Sequence, residues 1–105
     1  MAGFHVMNDS GALDQLLDTL TALHTKEEYA ALLEDLCTIK ELQDMAQRLQ
    51  VAFLLSDGMS YQKIVEKTGV SSATITRVNR CLSYGSGGYR QAIAASKPKP
   101  QEEQA

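Results

Sequence analysis

Apolar side chains recur along this chain at steps of three and four residues, and nowhere do they alternate with period two for long enough to form a strand. That property restricts the chain to an all-α fold. Leu13, Leu16, Leu17, Leu20 and Leu23 mark a first helix over Ala12 to Leu23, which Ser10 or Asp9 can cap. Thr25 and Glu28 then form a capping box, each side chain serving the other residue's free N–H, ahead of a second helix with Leu32, Leu33 and Leu36 inward. Thr38 and Glu41 repeat the device and open a longer third helix toward Leu55. Its stripe is Ile39, Leu42, Met45 or Ala46, Leu49, and Ala52 or Phe53. Ser56-Asp57-Gly58 closes it, with Gly58 suited to the left-handed position past a helix end.

Ser60 opens a fourth helix to about Lys67, with Ile64 and Val65 inward. Thr68-Gly69-Val70 interrupts, and Ser71 caps a fifth helix to about Leu82. Ser83-Tyr84-Gly85-Ser86-Gly87-Gly88 reads as too flexible for a helix or a stable strand. It follows a helix and so is no phosphate cradle, and it reads as a linker, with a mobile joint as the alternative. Tyr84 and Tyr89 flank it, in position to pack it down. Tyr89 to Ala95 makes a short last helix, giving five to six in all. The expected organisation is one helical domain over residues 1–95 and a disordered tail over 96–105, where Lys97-Pro98-Lys99-Pro100 precedes a Gln/Glu end.

With 105 residues, no Trp, four Tyr and two Phe, the core must be aliphatic. A small helical domain with this many Leu-rich faces often completes its core by dimerising. No apolar run approaches the ~18 residues a membrane span needs. The start, Met1 to Met7, lacks the pattern of a signal peptide. Cys37 and Cys81 have no metal-ligand spacing and read as reduced thiols of a cytoplasmic protein, a disulfide between them being the minor alternative.

The formal net charge of −3 conceals an asymmetry. From Met1 to Asp57 there are three basic residues against ten acidic, a balance of −7. From Gly58 to Arg90 five basic residues (Lys63, Lys67, Arg77, Arg80, Arg90) face Glu66 alone, a balance of +4. A polyanion-binding element joined to a non-binding scaffold shows this distribution.

Tyr61 to Arg80 reads as a helix-turn-helix: two short helices, three residues apart, with Gly69 at the middle of the turn, where positive φ costs a glycine nothing. Ile64, Val70, Ile75 and Val78 fall where the helices must pack. Ser71, Ser72, Ala73, Thr76, Arg77 and Arg80 are left on the outer surface. Small side chains at the helix start allow close approach to a major groove. The hydroxyls can reach phosphates or base edges, the helix N-terminus favours an anion, and the arginines can contact phosphate or guanine. The expected partner is double-stranded DNA. The alternative is a protein-interaction module using the same surface. His5 and His24 have no ligand-spaced companions, so neither a metal nor a cofactor is expected. No nucleophile elbow or phosphate loop is present, so no enzyme is expected.

Gly58-Met59-Ser60 to Leu82, above all Ala73-Thr74-Ile75-Thr76-Arg77, resembles the Trp-repressor-like family. Ala46-Gln47-Arg48-Leu49-Gln50-Val51-Ala52, Arg77-Val78-Asn79-Arg80-Cys81-Leu82 and Tyr84-Gly85 resemble its branch of Trp-repressor-related proteins of the YerC/YecD type. The resemblance covers about Leu32 to Ile93. It implies an intertwined all-α homodimer whose two recognition helices enter successive major grooves about 34 Å apart. It also implies a transcriptional regulator, a repressor by analogy. By position it assigns DNA contacts to Gln62 and Val65 on the first motif helix, and to Ser72, Ala73, Thr74 and Thr76 on the second. Arg77 matches one of two arginines that sandwich the indole of tryptophan in the Trp repressor, but Gln47 stands at the other position. Val78 replaces a glycine that leaves room for the ring, and Cys81 replaces a nearby serine. The resemblance therefore implies DNA binding without tryptophan as corepressor. Arg77 is then free to serve DNA or structure.

Overall fold

The structure, a computed structural model, describes residues 11–96. Over that span it is six α-helices, with no strand among the described residues: α1 (Gly11–Thr21), α2 (Lys26–Leu36), α3 (Ile39–Ser56), α4 (Tyr61–Thr68), α5 (Ser72–Tyr84) and α6 (Gly88–Ser96). The expected caps at Ser10 or Asp9, the histidine at position 5 and the tail beyond Ser96 lie outside the described residues. The chain divides into two compact units, Met1–Asp44 and Met45–Ala105.

In the first unit both capping boxes form. Glu28 N–H donates to Thr25 Oγ1 at 3.1 Å, and the Glu28 carboxylate accepts from the N–H groups of His24 (2.7 Å) and Thr25 (3.1 Å). Glu41 N–H donates to Thr38 Oγ1 at 3.0 Å and Thr38 N–H returns to Glu41 Oε1 at 2.8 Å. The Tyr29 hydroxyl lies 3.0 and 3.2 Å from the carbonyl oxygens of Leu20 and Leu23, serving the end of α1. Yet no residue of α1 or α2 is buried. Leu32 and Leu33 are half-buried. Leu36, expected inward, is 55% exposed, and Ile39 at the head of the α3 stripe is 74% exposed. The leucine periodicity sets the helices, but within this chain it has too little apolar surface to close upon.

The second unit holds the core. Val51 and Ala52 of α3, Ile64 of α4, Val70 of the turn, Ile75 and Val78 of α5 and Ile93 of α6 are all buried. Phe53, Leu54, Leu55, Met59, Tyr61, Leu82 and Tyr89 pack around them. Two stripe positions depart from expectation: Met45 and Leu49 are each 41% exposed. Val65 is also exposed, because Ile64 alone takes the inward position on that turn of α4 and its neighbour is rotated outward by about 100°. At the end of α3, Gly58 has φ +88°; its N–H donates to Leu55 O at 2.9 Å and that of Met59 to Leu54 O at 3.0 Å. That is the Schellman pattern, and it turns the chain sharply into α4.

Candidate nucleic-acid interface

Ser60 caps α4 by accepting from Lys63 N–H at 3.2 Å, and Ser71 caps α5 by accepting from Thr74 N–H at 3.2 Å. Between them Gly69 ends α4 in the left-handed region, φ +76°, its N–H donating to Val65 O at 2.8 Å. Thr68 adds a bond that periodicity does not announce. Its hydroxyl donates to Ile64 O at 2.7 Å and accepts from Val70 N–H at 3.1 Å, tying the last turn of α4 to the residue that enters the core. The buried row Ile64, Val70, Ile75 and Val78 then packs α4 on α5 as the sequence pattern requires.

With Ile75 and Val78 inward, Ser71, Ser72, Ala73, Thr76, Arg77 and Arg80 are all exposed, so the predicted outer residues share one side of the α4–α5 element. Ala73, Thr76 or Arg77, and Arg80 follow at helical steps along α5, whose 13 residues span about 20 Å. Ser72 and Thr76 keep free hydroxyls. Ser71 and Thr74 do not stand alike: the Ser71 hydroxyl lies 3.1 Å from Thr74 Oγ1 and serves the cap, while Thr74 is half-buried. On α4, Gln62 and Val65 are exposed, and Gln62 Nε2 reaches Glu66 Oε2 at a long 3.5 Å.

Electrostatically the element is a cationic surface with little internal neutralisation. Lys63, Lys67, Arg77 and Arg80 are exposed and without an ionic partner among the described residues, where the ion pair Lys40–Asp44, at 3.3 Å, belongs to α3. Unpaired surface cations keep their full field for a polyanion. Arg90 keeps its charge, but its guanidinium is held by neutral backbone carbonyls. Its Nε donates to Leu82 O at 3.0 Å and its Nη2 to Ser83 O at 3.1 Å, so its guanidinium is committed to the end of α5. The glycine segment also differs from expectation. Ser83 and Tyr84 complete α5 and Gly88 begins α6, leaving a three-residue corner in place of the long linker expected from the glycines.

Elsewhere, Glu34, Cys37, Ile39, Leu42 and Gln43 of the first unit line a solvent-open hollow of about 390 Å³. Cys37 and Cys81 are free thiols. Among the described residues no group of three or more His, Cys, Asp or Glu could hold a metal ion. No described helix is long and apolar enough to cross a membrane.

Among the described residues, six helices, with α4 and α5 joined by a left-handed glycine turn and carrying a cationic outer face, define a helix-turn-helix protein. The chain belongs to the Trp repressor family: the model of the Trp repressor protein family matches residues 11–97. It is 49% identical over 81 residues to the uncharacterized protein YerC of Bacillus subtilis, covering 77% of this chain and 78% of that protein. Among solved structures it is similar to a candidate Trp repressor from Staphylococcus aureus, at 40% identity and a TM-score of 0.77, covering 82% of this chain and 86% of the other. A TrpR-like protein from Eubacterium eligens matches at 39% identity and a TM-score of 0.78, covering 86% and 95%.

Proposed function

We propose that this chain is a homodimeric, sequence-specific DNA-binding regulator, a transcriptional repressor of the cytoplasm that works without tryptophan. The observation that carries the reading is the outer side of α5, where Ser72, Ala73, Thr76, Arg77 and Arg80 are exposed together over the buried pair Ile75 and Val78. Small residues at the start of the helix let its backbone approach a groove floor, and two unpaired arginines farther along supply phosphate or guanine contacts. Gln62 and Val65 flank this surface from α4, and Ser71 and Thr74 act through the cap that orients the helix N-terminus.

Dimerisation is supported by what the single chain leaves in water. No residue of α1 or α2 is buried, and Leu36, Ile39, Met45 and Leu49 are each more than 40% exposed. A second copy covering these residues recovers on the order of 1 kcal/mol or more for each. Residues 1–95 then act as one dimerisation and DNA-reading domain. The altered effector position is supported by Val78, whose side chain is 1% exposed and is part of the core, while Gln47 offers no cationic face.

Selection of bound duplexes from random DNA with the purified chain tests the reading. The expected product is a near-palindromic site with half-sites one helical turn apart. No enriched site, with a protein partner retained by the same surface, assigns the helix-turn-helix to protein binding instead.

A further inference from the structure

A cation in the first turn of a helix opposes that helix's own dipole, and Arg90 occupies such a place at the third residue of α6. Its side chain turns back to the end of α5, where Nε and Nη2 donate to the carbonyls of Leu82 and Ser83. The backbone ladder of α5 ends with Gly85 N–H on Cys81 O at 2.8 Å, so the next two carbonyls have no helical partner. A guanidinium suits them: its planar fork presents two donors at once, and its charge complements the negative end of α5.

The corner around this clamp is closely built. A Cβ on Gly85 would run into the Cys81 carbonyl, and Gly87 has φ +91°. Beyond the corner Ile93 is 4% exposed in the core and Tyr89 packs beside it. Helix α6 is therefore held to the core by Ile93 and to the tip of α5 by Arg90. The last turn of α5, Cys81 to Tyr84, begins directly after Arg80, so fraying there releases the residue that presents a DNA-facing arginine.

We infer that Arg90 is a positioning residue for DNA reading, fixing the C-terminal end of α5 on α6 so that Arg77 and Arg80 are offered in one orientation. It acts through those two arginines and holds no phosphate itself. This inference rests on the DNA-binding reading above.

The test compares the full chain with its Arg90→Gln and Arg90→Lys variants. Affinity is measured for the selected site and for a random-sequence duplex across a salt series, and amide exchange is measured without DNA. A lysine keeps the charge but has one nitrogen where the fork has several. Both variants are expected to lose about three- to tenfold in affinity for the selected site, with the random-duplex affinity and the salt slope unchanged. The amides of Arg80 to Gly85 are expected to exchange faster in both. Recovery of wild-type affinity by Arg90→Lys, with Arg90→Gln flattening the salt slope by about 0.9 per site on both duplexes, makes Arg90 a phosphate ligand and overturns the inference. Unchanged affinity for the selected site overturns it whatever the exchange rates do. Should the wild-type chain bind no duplex, the functional reading falls on that ground, and unchanged exchange in the variants separately overturns the clamp.

Discussion

The backbone N–H of Val70 donates to the hydroxyl of Thr68 at 3.1 Å, while that hydroxyl donates to Ile64 O at 2.7 Å. One side chain thus links the end of the first motif helix to the residue that carries the turn into the core. Thr68→Val is nearly isosteric and removes both bonds, leaving the Val70 N–H unsatisfied beside a buried side chain. The expected loss is about 1–2 kcal/mol in urea unfolding, with Thr68→Ser recovering most of it. Equal stability of the valine variant and the wild type contradicts this role.

Ile39 is 74% exposed at the first position of α3, so in a lone chain its side chain contributes little. An acidic residue at a helix start is favourable by a few tenths of a kcal/mol. Ile39→Asp is therefore expected to leave an isolated chain unharmed but to weaken a dimer that covers the residue. Sedimentation equilibrium is expected to show twice the 11.5 kDa chain mass for the wild type and a shift toward monomer for the variant. A monomeric wild type contradicts the proposed assembly.

Glu28 accepts from the N–H of His24 and then of Thr25, and these two bonds hold its carboxyl below the ordinary value of 4.5. A group whose folded pKa is depressed adds stability above its unfolded pKa and loses it as pH falls through the folded value. The α2 start is expected to keep its capping box at neutral pH and to begin losing it below about pH 4.5. Glu28→Gln removes that portion of the pH dependence. Amide exchange at His24 and Thr25 across pH 3 to 6 (roughly the carboxylate range) checks this, and identical profiles in the two proteins contradict it.

Val78 stands where the resemblance to the Trp repressor implies a glycine, and its side chain is buried with Ile64 and Ile75. L-Tryptophan near 1 mM is therefore expected to leave the melting temperature unchanged. A site with a Kd of about 10 µM would add about 2.7 kcal/mol at that concentration, a shift of several degrees. A shift of that size contradicts the account of Gln47 and Val78.

The fold is legible in the sequence where short-range chemistry decides it. The capping boxes at Thr25 and Thr38, the Ser71 cap and the glycines at 58 and 69 name their own conformations, because each needs only residues within one turn. The outer row of α5 is legible for the same reason: once Ile75 and Val78 face inward, helical geometry places the remainder. Burial of the leucine stripes is not, since Leu36 and Ile39 are apolar at the right steps and still stand in water. Periodicity states which face seeks a partner, not whether the chain contains one. Arg90 reads from sequence as a free cation because its acceptors, two backbone carbonyls seven and eight residues away, have no signature in the side-chain sequence. Thr68 reads as a plain turn residue for a similar reason.

The salt dependence of binding to the selected site decides whether the exposed arginine face of α5 binds DNA. Wild type is compared with the Arg77→Ala/Arg80→Ala variant. Both arginines are exposed and neither has an ionic partner among the described residues, so their removal leaves the fold intact and subtracts only cationic charge from the surface. The predicted result is a steep fall in wild-type affinity with salt, and a variant whose slope is flatter by about 0.9 for each phosphate it no longer neutralises. A wild type with no salt slope, or a variant that binds the site as tightly and as steeply as the wild type, contradicts the account.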